Sequence, residues 1–255
     1  MVLRRISAIR STCDFSLTSG GAMIAASPVV LRCRPLSNSF FWNGGSLEGD
    51  GIAIPSFMTS AGTFIASAAP KSIKHGAQVI LNGPTTHSAG VITFSGSASK
   101  LRVNGTYEIT GNGVDFNGPT IHEINNFGTF RKKPTSTDVT TVTTKFNNPS
   151  GGLVDVQAGT LELIGGGTGA GTFNVEPGAN IDFNLGNYNF VSGATFTGQQ
   201  VITNGEVTVG AGANWAGNTI INGGFLALQS GALFGSGSLA VNGGGQLRVQ
   251  SGTHT

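Results

Sequence analysis

Apolar and polar residues alternate along most of this chain in runs of three to five positions, and glycine cuts each run short. The stretch "LVDVQAGTLELIGGGTGAGTFNVEPGANIDF" (153–183) shows the pattern at its clearest. A period of two marks a strand with one buried face. It predicts Val154/Val156, Leu161/Leu163, Phe173/Val175, Ile181/Phe183, Val207/Val209, Leu226/Leu228 and Leu247/Val249 as inward pairs. Asp155, Glu162, Asn174, Asp182, Thr208, Ala227 and Arg248, lying between them, are expected to face water.

The strands recur with a period. "GANI" (178–181), "GATF" (193–196), "GANW" (212–215) and "GALF" (231–234) follow one another at steps of 15, 19 and 19 residues, and Gly159 of "QAGTL" leads Gly178 by 19. A second word, in "TNGEVTV" (203–209), "INGGFLAL" (221–228) and "VNGGGQLRV" (241–249), places its Asn-Gly pairs 18 and 20 apart. Two words that keep nearly one period predict a coil whose corners stack on one another. The expectation is an all-β, single-stranded parallel β-helix (β-solenoid), each strand pairing in parallel with its counterpart one turn later. Glycine suits corners that need positive φ, and stacked asparagines can bond along a ladder of like amides. Two or three strands per turn satisfy the pattern equally.

Upstream the repeat is looser. "FFWNGGSLEGDGIAI" (40–54) reads as a first turn with Asn43-Gly44 at a corner, and "ILNGP" (80–84) and "RVNGTYEI" (102–109) follow with their Asn-Gly pairs 22 apart. The Thr-rich "KPTSTDVTTVTTKF" (133–146) suggests a longer loop or an outer strand. Residues 40–255 are read as one solenoid of about ten coils of about 20 residues, a rod about 50 Å long at one strand spacing per coil. Residues 1–39 are read as an N-terminal extension outside the repeat.

Composition agrees with this picture. Glycine supplies 41 of 255 residues, more than twice the roughly 7% of ordinary domains, which argues against helices. Charged residues make up 10%. Charge is uneven: residues 1–145 hold thirteen Lys/Arg and seven Asp/Glu, residues 146–255 one and five. "RKK" (131–133) beside Pro134 reads as a solvated loop, and with few aromatic residues near it a nucleic-acid surface is not supported. Cys13 and Cys33 match no redox or metal spacing. No run is long and apolar enough to span a membrane as a helix. The N-terminus is a poor export signal, since Arg10 and Asp14 interrupt its apolar stretch.

At "FNNPSGGLVDVQAGTLELIGGGTGAGTFNVEPGANIDFN" (146–184) the chain resembles the right-handed parallel β-helix repeats of large bacterial exported and surface proteins, akin to autotransporter passenger domains and filamentous adhesins. "FFWNGGSLEGDGIAIP" (40–55) is similar to the way such regions begin. The resemblance implies the right-handed form of the pectin-lyase-like fold and a stalk or passenger displayed outside the cell or on its surface. It carries over no catalytic position. The chain departs from autotransporters in having nothing like a C-terminal membrane barrel, and it ends mid-repeat at "VQSGTHT" (249–255). A segment of a longer repeat region is therefore expected, with neighbouring repeats as partners.

Several residues invite a chemical reading. His87 in "NGPTTH" (82–87) and His122 in "NGPTIH" (117–122) each lie five positions after Asn-Gly-Pro. Their spacing of 35 approaches two coils, about 10 Å in a stack, too far apart to share one ion. Duplicated turn chemistry is the reading adopted. Glu162 and Asp182 occupy equivalent places in "LEL" and "IDF" and are expected side by side on the exterior, with Thr197 and Ala216 continuing the row. Two acids there could invite a cation. "IGGGTGAG" (164–171) lacks the Gly-Lys-Ser/Thr ending of a phosphate loop. Trp42 is remote from Trp215, which is expected at the core place of Ile181. No catalytic, cofactor-binding or metal-ligating residue is assigned. The expected function is a non-enzymatic structural or adhesive rod, with host or matrix polysaccharide or protein as partner and the "RKK" and Thr-rich segments as contact surface. The alternative is a pectate-lyase-like carbohydrate-active enzyme.

Overall fold

The computed structural model describes residues 40–48, 62–235 and 237–252, together with the backbone of the strands Arg4–Ile6, Ser16–Leu17, Ala22–Ala25, Leu31–Arg32 and Ser56–Thr59. Every described strand pairing is parallel, and neighbouring strands in a sheet are never consecutive in sequence. The chain winds as a β-solenoid with three strands per turn. One turn shows the plan: Lys71–Lys74 lies on a first face, Gln78–Leu81 on a second and Thr85–His87 on a third, after which Ile92–Ser95 returns to the first.

The first face is a sheet of 12 strands and the third a sheet of 11. The second consists of a 6-stranded sheet ending at Lys145–Asn147 and a 5-stranded sheet beginning at Gly167–Gly169. Backbone bonds from Phe146 N–H to Gly166 O and from Asn148 N–H to Thr168 O, each 2.9 Å, join the two. From Gly45–Glu48 to Leu239–Val241 the first face carries ten strands, which enclose nine turns. That is one fewer than expected, because the early coils are longer. Lys71 pairs with Gly45, 26 residues earlier, whereas Gln200 pairs with Ile181, only 19 earlier. Before residue 40, Ala22–Ala25 pairs in parallel with Gly45–Glu48, and Ser16–Leu17 with Phe40–Trp42.

Alternation places the predicted apolar pairs inside, all of them buried except Leu247 and Val249 in the last strand. The interior is organised as columns along the axis. On the third face one column runs Tyr107, Phe130, Val154, Phe173, Phe196, Trp215. Strands one turn apart are separated by about 4.8 Å, which is also a favourable ring separation. Tyr107 and Phe130 accordingly stack at 5.3 Å and 8°, and Phe173 and Phe196 at 4.9 Å and 7°.

Of the two recurring words, the Asn-Gly pairs at 204, 222 and 242 all mark the corner from the first to the second face, as expected, but the first word does not keep to one corner. "GANI" leads into the first face, whereas "GATF", "GANW" and "GALF" lead into the third. The step of 15 rather than 19 is the trace of that change of corner. Trp215 is in the core as expected, but in the column of Phe196 rather than of Ile181. Glycine serves two separate needs. Gly193, Gly212 and Gly231 have φ of 90°, 72° and 81°, which L side chains resist. Gly105 and Gly205, which follow asparagine, have no positive φ; a Cβ there would press on carbonyl oxygens of the preceding turn. Close stacking selects glycine in the second group.

Two further expectations are corrected. "RKK" is not a solvated loop: Arg131 and Lys132 end the strand Thr129–Lys132, with Lys132 fully buried. The Thr-rich segment divides: 133–138 is a six-residue corner loop, whereas Val139–Val142 is no outer strand but an ordinary rung of the first face, with Thr140 and Val142 inside. Among the described residues no helix is long and apolar enough to cross a membrane.

Candidate functional site

His87 sits on the third face and points inward, in column with Ile65 and Ile109. Its Nε2 lies 3.1 Å from the Ala89 carbonyl oxygen and 2.8 Å from that of Gly90. Carbonyls only accept, so Nε2 carries the proton and Nδ1 accepts from Tyr107 O–H at 2.7 Å. Burial, assisted by the nearby Lys71 ammonium, pushes the imidazole pKa down to about 3, and the two carbonyl bonds oppose the shift without reversing it. Lys71, also buried, donates to the carbonyls of Ser67, Ala69 and Ala89. Burial lowers its pKa and raises that of Tyr107. This cluster closes a wide corner between the third and first faces.

His122 is elsewhere, at the entry to the second face, where Nδ1 accepts from the Ser99 amide at 2.9 Å. The two Asn-Gly-Pro words therefore occupy different corners, Asn82–Pro84 between the second and third faces and Asn117–Pro119 between the first and second. They are not stacked equivalents, and the idea of one duplicated corner falls.

Glu162 and Asp182 are brought together as expected, directly paired in register on the exterior of the first face. The row around them reads Thr141, Glu162, Asp182, Val201, Ile220; Thr197 and Ala216 belong with the third face instead. Glu162 accepts from Thr141 Oγ1 at 3.0 Å and Asn184 Nδ2 at 2.9 Å. Both oxygens of Asp182 lie 2.8 Å from Thr203 Oγ1. Burial raises the Asp182 pKa and the Glu162 charge adds to the effect, against the Thr203 bonds. Among the described residues, no group of three or more His, Cys, Asp or Glu could hold a metal ion.

The glycine run 164–171 forms the joint on the second face. A Cβ on Gly167 would run into the Phe146 carbonyl oxygen, and one on Gly169 into the Phe190 ring. A shallow groove of about 540 Å³ lies over this joint, bordered by Lys145, Thr168, Leu185 and Asn187.

The polar interior was missed by reading lysine as a surface residue. Lys132 Nζ contacts Ser136 Oγ at 2.5 Å, Asp138 Oδ1 at 3.1 Å and Thr140 Oγ1 at 3.2 Å. Burial lowers its pKa and the Asp138 carboxylate pulls the other way. Asp138 also accepts from the Gly113 amide, so it ties two successive corners together. Trp215 Nε1 donates to Thr219 Oγ1 at 2.9 Å, and Thr219 Oγ1 donates to Gln200 Oε1 at 3.0 Å. Alternation held the signal: Phe130 is inward in "TFRK", so Lys132 must be as well.

No protein-family model, no curated protein and no solved structure matches this chain, so the β-solenoid is established by its strand pairing alone.

Proposed function

We propose that this chain is a non-enzymatic structural or adhesive shaft, a length of β-solenoid rod belonging to a bacterial secreted or cell-surface protein. One observation carries the reading: polar side chains on the exterior are bonded to the neighbouring turn. Asparagine amides bridge Asn82 to Asn104 at 2.7 Å, Asn125 to Asn147 at 2.9 Å and Asn222 to Asn242 at 3.1 Å. Ion pairs do the same between Glu48 and Lys74, Lys100 and Glu123, and Arg131 and its two acids. Side chains that an enzyme would direct at a substrate are here turned along the axis, where they resist shear between turns. Phe41 and Phe64, both exposed and stacked at 5.2 Å, supply an aromatic patch suited to adhesion.

Protease treatment of intact cells of the source organism, with immunoblotting, tests the placement. The reading expects loss of the epitope from whole cells. Protection equal to that of a cytosolic marker would remove it.

A second reading, a pectate-lyase-like enzyme on polysaccharide, is favoured by one feature, the adjacent Glu162 and Asp182 with the Asp182 carboxyl pushed up. Cleavage of an acidic polysaccharide, abolished in Asp182→Ala and accompanied by a calcium-dependent rise in melting temperature, would replace the first reading with the second.

A further inference from the structure

Leu185 departs in two ways from the pattern of the turns around it. Its φ is 70°, and among the described residues other than glycine only His75 shares this left-handed conformation, which a Cβ resists. Its side chain is 62% exposed, so burial does not offset the strain. Two positions beyond the last inward residue of the first face, the turns before and after carry Gly165, Asn204 and Gly223, where this turn carries Leu185. Strain of this kind points to a local task for the residue.

Leu185 borders the groove of about 540 Å³ over the joint of the second face, with Thr120, Lys145 and Asn187 along the same rim. The volume lies within the range of small-molecule sites. The floor is bare backbone, since a Cβ on Gly165 would strike the Thr144 carbonyl oxygen and one on Gly186 the Gly166 nitrogen. Close stacking accounts for the floor but not for the leucine. The rim also differs from the rest of the exterior, where polar groups bond to the neighbouring turn. Thr120 and Asn187 are exposed, and among the described residues neither their side chains nor the Lys145 ammonium has a hydrogen bond or ion pair. Glu123, in register with Lys145, is engaged by Lys100 at 3.0 Å. Glu206 lies one turn beyond Asn187, on the side away from Lys145.

These features select an occupant. A peptide strand finds no edge here, because bonds from Phe146 N–H to Gly166 O and from Asn148 N–H to Thr168 O close the joint. A pyranose ring matches the parts available. Its C–H face can lie on Leu185 and the glycine floor, its hydroxyls can meet the Thr120 hydroxyl and the Asn187 amide, and an acidic substituent can meet Lys145. We infer that the groove is a binding site for an anionic saccharide, a ring carrying carboxylate or sulfate, with its acid toward Lys145 and away from Glu206. This rests on the proposed adhesive function and names its ligand class.

Titration of the purified full chain with trigalacturonate, a sulfated galactose trisaccharide and maltotriose, followed by nuclear magnetic resonance, tests it. The expected result is saturable shifts at the Leu185 methyls and the Gly165, Gly166 and Gly167 amides with one or both anionic sugars, the response naming the acid, and none with maltotriose. Leu185→Gly relieves the strain, so it should melt no lower than the parent yet bind at least about tenfold more weakly. Lys145→Met should weaken binding by a similar factor with unchanged circular dichroism, while Lys74→Met, which removes a charge on the first face, leaves it intact. No saturable shift with either anionic sugar, an equal response to maltotriose, or undiminished binding in either groove variant would overturn the inference. Such a result would leave the shaft reading standing, since protease treatment of intact cells decides that separately.

Discussion

Arg131 Nε lies 2.8 Å from Asp155 Oδ2, joining two successive turns of the third face, and the Asp155 side chain is only 8% exposed. Arg131 also reaches Glu108 on the preceding turn at 3.1 Å, so one guanidinium spans three rungs. These contacts raise the Arg131 pKa: the Asp155 hydrogen bond leads, burial opposes, and Glu108 adds to the rise. Arg131→Met leaves a nearly buried carboxylate held only by Gln157 and Asn174. The expected loss is about 1–3 kcal/mol. A double-mutant cycle over Lys100 and Glu123, a more exposed pair, is expected to give under about 1 kcal/mol. Urea unfolding of matching double-mutant cycles, Arg131 with Asp155 and Lys100 with Glu123, provides the comparison; equal coupling in the two would show that burial does not decide the matter.

This ladder shows what could be read from the sequence and what could not. Alternation is a local property, so the inward pairs from Val154 to Leu228 and the adjacency of Glu162 with Asp182 were legible. Corner identity is not local. Gly-Ala followed by one polar and one hydrophobic residue serves both the third-to-first corner at Gly178 and the second-to-third corner at Gly193, and only pairing tells them apart. Leu247 and Val249, in the last described strand, have the right parity but are exposed. His87 and Lys132 were legible by parity, yet a titratable residue at an inward position is acceptable only if the corner beside it supplies partners. Those partners, the Gly90 carbonyl and Asp138, lie three and six residues further on.

Glycines of the two kinds should respond differently to alanine. Gly244 has no positive φ and open space where a Cβ would be, so Gly244→Ala should be neutral or slightly stabilising. Gly178 has equally open space but φ of 86°, and its replacement should cost about 1–2 kcal/mol. Gly224 combines φ of 66° with a Cβ position that collides with the Gly205 carbonyl oxygen, and should be the most damaging of the three. Thermal melts of the three variants test the ranking. Equal effects at Gly178 and Gly224 would mean that the turns can spread apart at little cost.

Lys132 tests the buried polar strip. Its aliphatic stem fills the column between Ile109 and Val156. Lys132→Ala removes that packing and strands Asp138, for an expected cost of about 3–5 kcal/mol. Lys132→Met combined with Asp138→Asn restores the volume, removes the orphaned charge, and keeps an acceptor for the Gly113 amide. The double variant should therefore recover most of the loss. Failure to recover, with circular dichroism otherwise native, would show that the ion pair itself contributes net stability.

The interior imidazole predicts an acid limit on the rod. His87 titrates near its ordinary 6.5 when unfolded and at about 3 when folded. Between those values the unfolded chain binds more protons, so this group's contribution is complete above pH 6.5 and is lost as pH falls towards 3. The slope is at most about 1.4 kcal/mol per pH unit. Glu123 and Asp138 are held below their ordinary range, since their hydrogen-bond and charge partners outweigh burial. Their losses share the same sign but begin only below about pH 4.5, near the ordinary carboxyl range. In the window from 6.5 down to about 4.5 His122, its pKa also lowered by burial, acts in the same sense and the raised Asp182 in the opposite one, so the share of His87 is read as the difference between a variant and the parent. His87→Leu keeps an apolar side chain in the column of Ile65 and Ile109 but leaves the Tyr107 hydroxyl without its partner. The variant should be less stable at pH 7 and lose less on acidification, so the two urea midpoints converge through that window. Parallel curves would mean that His87 is protonated with little penalty, contrary to its position between two carbonyls, a hydroxyl and a lysine.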